Sequence, residues 1–401
     1  MNVKWEQRKL NSIAHQTFGG GTPSKSNKQF WNGDFPWIQS SDLAEDTIRG
    51  VHPNKFITQN ALLISAAKKI PKNSIAIVSR VGVGKVALIP FNYSTSQDFL
   101  SLSGLKINSQ FATYSIHKIM KKTASQLQGT SIKGITKKDI LNKTIIFPIS
   151  EKEQVHISSL LKYVDYIISL QQRKLEQLKQ LKKAMLQQLF VSKNSKQPVL
   201  RFENFDSDWR QHSLEDISAK TYSGLTGKSK DDFGHGKARY ITYLNVHNNE
   251  VAVSDGVEQI EVDFKQNKVL KGDLLFTISS EVPSEVALNS VWSSETGTDI
   301  YLNSFCFGIR PKSNYVNSFF LTYYLRSPQM RKLIYPLAQG ISRFNISKRS
   351  ILTLKINTPV LPEQISIYKV LMHIDNLITH QQNKLTQLTT LKRYLLQKLF
   401  I

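Results

Sequence analysis

The chain has one cysteine in 401 residues, Cys306, set in the apolar stretch SFCFGIR. A disulfide framework is excluded, a reduced cytoplasmic setting is the default, and the lone thiol reads as core filler rather than a nucleophile. No apolar run reaches the ~18 residues of a membrane span, and the opening MNVKWEQRKL lacks the apolar core of a signal peptide. Glycine and proline are modest, at 19 and 13, beside 40% hydrophobic residues, so neither a collagen-like nor a low-complexity chain is at hand. Acidic residues are the scarcest relative to expectation. Lys and Arg outnumber Asp and Glu by 53 to 30, giving a net charge of +23 and a pI near 9.8. A field of that sign calls for a polyanion, most often nucleic acid. The length suffices for two or more domains with cores of their own.

Catalytic signatures are missing as well. VGVGK (Val81 to Lys85) is not a phosphate loop: Ser79 stands where G-x-x-x-x-G-K-S/T needs its first glycine, and Val86 follows the lysine. GGGTP (Gly19 to Pro23) does not form the dinucleotide fingerprint. There is no N-P-P-F/Y or D-P-P-Y run for adenine methylation. DFG at Asp232 to Gly234 stands without a catalytic loop, and the nine histidines form neither HExxH nor any pattern with CxxC. The expectation is a chain with no catalytic residue, no metal and no cofactor of its own.

What is present is a repeat. GTSIKGITKKDILNKTIIFP (Gly129 to Pro148) returns as GISRFNISKRSILTLKINTP (Gly340 to Pro359). The following Glu153 to Phe190 returns as Glu363 to Phe400 at a constant offset of 210, which carries Asp165 onto Asp375 and Phe190 onto Phe400. Upstream the agreement is looser. Trp5, Gln7 and Leu10 match Trp209, Gln211 and Leu214, and Trp37-Ile38 corresponds to Tyr240-Ile241. SIAIVSRVGVGKVAL parallels DLLFTISSEVPSEVAL, and INSQFATY parallels VNSFFLTY. One frame is used twice with unlike loops, which suits two different recognition surfaces; free drift of loops after a duplication is the bland alternative.

Residues 151 to 190 contain neither Pro nor Gly, and their apolar positions step by threes and fours, the seam of a coiled coil. The expected packing positions are Leu161, Val164, Ile168, Gln171, Leu175 and Leu178, repeated as Leu371, Ile374, Ile378, Gln381, Leu385 and Leu388. Each helix of ~40 residues would be ~60 Å long. Gln171 and Gln381 interrupt both seams at one point, as register-setting polar residues do. Arg173, Lys174, Lys179, Lys182 and Lys183 read as a basic face, with Lys384, Lys392, Arg393 and Lys398 in the second copy. If a two-fold relates the copies, the helices run antiparallel.

The sequence thus predicts an α+β protein: two pseudo-two-fold-related α/β recognition domains separated by a long antiparallel two-helix coiled coil. Its parts are a first domain at 1–150, a first helix at 151–192, a linker at 193–208, a second domain at 209–361 and a second helix at 362–401. Candidate DNA contacts lie on the loops, where Lys, Arg, amide and hydroxyl groups can meet phosphates and base edges. They are Lys25 and Lys28 in GGGTPSKSNK, Gln39 and Ser40 in WIQSSDL, and Arg80 and Lys85 in SRVGVGK. Ser131 and Lys133 in GTSIKG complete the first copy. The second copy offers Lys228 and Lys230 in SGLTGKSK, Tyr243 and Asn245 in YITYLNV, Ser279 at the end of a strand, and Arg343 and Asn345 in GISRFNISK.

These features together resemble the specificity subunit of type I restriction-modification systems. The resemblance covers essentially the whole chain: W-x-Q-x-x-L at Trp5 and Trp209, the G-G-T-P and W-I-x-x-S-D-L segments, the G-x-S-x-x-x-I-S/T-K run, and above all the Q-Q-x-K-L-x-x-L helix closing on Leu-Phe. It implies that each domain reads half of a split duplex target, with the helices as the spacer. It further implies two methyltransferase partners that use S-adenosylmethionine to methylate adenine, and a restriction and translocase subunit that uses ATP and Mg, with no membrane involved. Two departures stand out. PVLRFENFDSDW precedes the second unit without a counterpart before the first, a start that is either natural or shortened. The first copy is also one residue longer between its proline and Glu153-Gln154, so the entries to the two helices need not be equivalent. A coiled-coil DNA-binding adaptor outside restriction-modification is the alternative. Affinity for duplex DNA is expected to fall steeply and log-linearly with salt in a binding titration; a flat response would remove nucleic acid from the account.

Overall fold

A computed structural model describes residues 4–127, 134–192, 195–295 and 297–400. The chain folds as two compact units, one of Met1–Arg173 with Asn383–Ile401 and the other of Lys174–Gln382. Each long helix contributes to both. The first runs Glu151–Gln188, opening on Glu151 and Glu153, which favour the positive N-terminus. The second runs Leu361–Lys398, with Pro362 in the first turn, where a missing N–H costs nothing.

In the first unit, Trp5–Lys9 pairs antiparallel with Thr144–Pro148 and so ties the start of the domain to the entry of the first helix. A four-stranded antiparallel sheet follows the order Ala14–Gly19, Phe99–Leu105, Ser74–Val78, Val86–Ile89. A smaller sheet sets Trp31–Ile38 between Lys55–Ile57, antiparallel, and Ser94–Thr95, parallel. The strand Ser74–Val78 is buried throughout, and the helix Ser109–Leu127 buries Phe111, Tyr114 and Ile116 in the same core as Ile75 and Ile77. Alternation is absent from SIAIV because both faces of the strand are covered.

The second unit repeats this plan. Arg210–Ser213 pairs antiparallel with Lys355–Thr358. Five strands take the order Ser218–Ser223, Cys306–Pro311, Leu274–Thr277, Asn289–Trp292, Val251–Ala252. Phe233–Ile241 lies between an antiparallel Val257–Ile260 and a parallel Ile300–Leu302. Cys306 is buried, and burial pushes its thiol pKa well up, as befits a core residue.

Within each unit, parts of the two long helices lie antiparallel. In the first, Asp165 sits 2.6 Å from Lys392, while earlier Ile157 and Leu161 share a core with Leu395, Leu399 and Phe400. In the second, Lys182 sits 2.6 Å from Asp375, while later Leu189 and Phe190 share a core with Ile367 and Leu371. Leu161, Val164, Leu175, Leu371, Ile374, Gln381 and Leu385 are buried, and Ile168, Gln171, Leu178, Ile378 and Leu388 are half-buried. Each buried leucine or isoleucine contributes about 1.5–3 kcal/mol of transfer free energy.

The lone lysines of the repeat take a different place from the one their charge suggested. Lys182 and Lys392 were read as members of a basic face; both are largely buried, each against the aspartate at the equivalent point of the other repeat's helix. The aspartates also accept from tyrosine hydroxyls, Tyr114 to Asp165 at 2.6 Å and Tyr323 to Asp375 at 2.7 Å. Burial and the adjacent carboxylate both push those phenol pKa values well up, so each tyrosine is held as a donor. For Lys182 burial opposes the charge, but Glu250 and Asp375 outweigh it and raise its pKa.

The helix ends are fastened in the same exchanged fashion. Phe400, at the end of the second helix, stacks on Phe111 with ring centroids 4.9 Å apart, and Phe190, at the end of the first, lies 5.6 Å from Phe320. The helix entries match too, despite the extra residue in the first copy. Gln154 donates to the Pro148 carbonyl at 2.7 Å and accepts from the Asn108 amide at 2.8 Å. Gln364 does the same with Pro359 and Asn317, both at 2.8 Å. The insertion is absorbed before the glutamine, so the expected inequivalence stops short of it. Truncating Phe400→Ala should cost about 3–5 kcal/mol through the cavity it leaves. Hydrogen exchange should accelerate in Ser109–Leu127 and not in Ser318–Arg326; equal acceleration in both would contradict this docking.

Candidate nucleic-acid interface

The glycine-rich loops, offered by the sequence as places where amides meet phosphates, turn those amides inward. Gly20 and Gly21 donate to the carbonyls of Phe99 and Thr95, and Gly224 and Leu225 to those of Cys306 and Leu302. A Cβ on Gly20 would stand 1.8 Å from the Ser96 carbonyl oxygen, and one on Gly224 1.9 Å from that of Asn303. The glycines are there because two backbones nearly touch, and their amides face inward. Beyond them Lys25, Lys28 and Lys230 are exposed, able to reach an anionic backbone. Lys228 is not free to do so. Asp263 at 3.0 Å and Asp232 at 3.3 Å hold it within its own loop and raise its pKa, so its role as a DNA contact is withdrawn.

The strand-end segments divide likewise. Gln39 is half-buried. It takes part in a reciprocal cap with Asp42 and accepts from Lys55 at 3.3 Å; the Ser40 carbonyl accepts from Lys85 at 3.2 Å. Lys85 is therefore a brace across the turn, and Arg80 is its exposed member. The turn between them is tight enough that Gly82 and Gly84 take φ of 92° and 108°, conformations natural to glycine alone. In the second copy Asn245 is 3% exposed. Its amide donates to the Val253 and Gly256 carbonyls and accepts from the Val253 amide. Ser279 is 2% exposed, and the Tyr243 hydroxyl donates to its carbonyl at 2.5 Å. Asn245 and Ser279 are thus loop-building residues, and the expectation that they read bases is corrected on burial alone.

Arg343 and Asn345 remain exposed. Arg343 is fixed by a 3.0 Å hydrogen bond to the Ser279 hydroxyl and by the ring of Phe305, whose centroid is 4.9 Å from its guanidinium carbon. Its hairpin is closed by paired 2.8 Å bonds between Gln339 and Asn345, and Gly340 allows the bend with φ of 130°. A guanidinium already ordered in this way loses little entropy on binding. Ser131 and Lys133 lie outside the described residues. Sequence reasoning passed over Lys237 and Arg239, exposed on the strand Phe233–Ile241 while Ala238 and Tyr240 turn inward. Their alternation was the available signal. No group of three or more His, Cys, Asp or Glu residues suited to a metal occurs among the described residues.

Set against known proteins, the chain matches the family described as the type I restriction modification DNA specificity domain twice, over residues 2–180 and 206–390, and it belongs to that family. It is similar to the MjaIX specificity subunit of Methanocaldococcus jannaschii, with 26% identity over 305 residues, 72% of this chain and 69% of that one. It is also similar to the EcoR124I/EcoR124II specificity subunit of Escherichia coli, 32% identical over 164 residues, or 38% and 39% of the two chains. The fold is that of the Mycoplasma genitalium type I S subunit, with a TM-score of 0.61 at 19% identity over 100% of this chain and 97% of that one. The protein is a specificity subunit of a type I restriction-modification system with two target-recognition domains. An adaptor role outside restriction-modification is not favoured. No described helix is long and apolar enough to cross a membrane.

Two substitutions separate contact from scaffold. Asn245→Ala should lower the melting temperature of the second unit and leave base preference unchanged. Arg80→Ala should weaken duplex binding by about 1–3 kcal/mol if it reads a base, with relaxed preference at one position. A melting shift for Arg80→Ala without loss of binding would exchange these assignments.

Proposed function

We propose that the two units each read one half of a bipartite duplex target, and that the chain, itself without catalytic machinery, presents the bound site to methyltransferase subunits. Those partners, two per specificity subunit in this reading, supply S-adenosylmethionine and methylate adenine. Restriction and translocase subunits, where assembled, bring ATP and Mg. The setting proposed is the cytoplasm, where all of these meet chromosomal DNA.

One observation carries the division of labour. The frame is repeated down to the same hydrogen bonds at the helix entries, yet the turn after the central strand differs in sign. It carries Arg80 and Lys85 in the first copy and Glu281 and Glu285 in the second. The first turn attracts a duplex phosphate and the second repels it, so the two copies do not present the same surface to the duplex. Exposed cations of the second copy stand elsewhere, Lys230, Lys237, Arg239 and Arg343 among them. Loops that differ on a frame that does not are how one fold obtains two specificities.

The test is an exchange. Residues 1–150 replaced by those of a relative with a different target should change one half of the motif found methylated when the chain is expressed with its methyltransferase. Sequencing for modified adenine reads both halves together. A change in both halves, or in neither, would overturn the assignment of one unit to one half-site.

A further inference from the structure

The two copies build their helix junctions from equivalent residues, and the places where the junctions differ point to a ligand. In the second unit the junction satisfies itself. Lys182 lies 2.6 Å from Asp375 and 2.8 Å from Glu250. Arg326, three residues beyond Tyr323, donates to the carbonyls of Asn289, Val246, His247 and Asn249. Glu250 and Asp375 both act on Lys182 and on Arg326, so two carboxylates offset two cations within the unit.

In the first unit the same positions leave a deficit. Lys392 lies 2.6 Å from Asp165, but its second partner is the main-chain carbonyl of Asp46 at 2.6 Å, a neutral acceptor where the other copy has Glu250. The Asp46 carboxylate is turned to Lys121. His117, three residues beyond Tyr114, occupies the position of Arg326. It is 3% exposed, and its Nδ1 has no hydrogen-bond partner among the described residues. The Nε of Arg49 is likewise buried without a partner. These groups line a cleft of about 960 Å³, bounded by five cations and three carboxylates.

A buried donor left without an acceptor costs about 1–3 kcal/mol, more when charged, so such a cleft favours an occupant that accepts hydrogen bonds and carries negative charge. We propose that this cleft binds one carboxylate, carried by an acidic side chain of a partner chain, in the role that Glu250 plays inside the second copy. The carboxylate would accept from Arg49 and His117 and complete the balance around Lys392. Unoccupied, His117 is held neutral at physiological pH: burial, then Lys121 and Lys392, lower its pKa to about 4. A carboxylate beside it would offset the repulsion from those lysines. The inference does not rest on DNA recognition, because its test contains no DNA.

The test uses the full chain with glutarate as the probe, at constant ionic strength set by sodium chloride, following the ring signals of His117 by NMR. A saturable shift is expected with glutarate. Arg49→Gln should weaken it roughly tenfold, the loss of one charge-assisted hydrogen bond. Thr47→Glu should abolish it, because Thr47 lines the cleft and stands ten residues after Trp37, as Glu250 stands ten after Tyr240. That variant puts the carboxylate in place from within and should melt no lower than the parent, which separates occupation of the site from misfolding. No saturable shift, or one that survives both variants, would overturn the proposal. Tighter saturation by inorganic phosphate than by glutarate would overturn the assignment to a carboxylate.

Discussion

Everything else in the molecule hangs on one interaction made twice: a largely buried lysine on one long helix against an aspartate on the other. Asp165 with Lys392 and Lys182 with Asp375 are the same pair with the helices exchanged, since both aspartates and both lysines are 210 residues apart. A pair of this kind is a poor source of net stability, because desolvating two charges costs about as much as their attraction returns. Its value lies in what it forbids. A helix register slipped by one residue would leave a lysine and an aspartate buried apart, several kcal/mol worse than the observed match. The apolar seam alone, with leucine and isoleucine at most positions, would tolerate such slips more readily.

Around that lock the apolar contacts supply the bulk of the free energy. Phe400 closes the core of the unit built on Trp5 and Phe111, and Phe190 closes the one built on Trp209 and Phe320. Each recognition domain is thus completed by the helix that began at the other copy. The glutamine at each helix entry, bonded to the preceding proline carbonyl and to the amide at the start of the next helix, sets the angle at which the chain leaves the sheet. With frame and junction fixed this tightly, the loops are free to differ, and the change from Arg80 and Lys85 to Glu281 and Glu285 alters surface charge without touching the core.

The long helices, the repeat and the seam were legible in sequence because they follow local rules: no Pro or Gly, apolar steps of three and four, and a fixed offset. The loop residues were not. Asn245 and Arg343 looked alike, polar side chains near strand ends, and only the folded chain shows the first turned onto carbonyls eight and eleven residues ahead and the second held outward over Phe305. Gly20 and Gly21 resembled a phosphate cradle because close approach of backbone to backbone and of backbone to phosphate ask for the same residue. Lys182 and Lys392 read only as part of a basic face because their carboxylate partners lie far along the chain, at Asp375 and Asp165. The offset of 210 held the clue, since it carries the charged pair as faithfully as the leucines.

These exchanged pairs, rather than the apolar seam alone, fix how the helices meet. A double-mutant cycle at Lys182 and Asp375, repeated at Lys392 and Asp165, measures it directly in the stability of each unit. A coupling of about 1–3 kcal/mol is expected at both sites, with each single substitution worse than the paired one. Additive effects at either site, within about 0.3–0.5 kcal/mol, would contradict it.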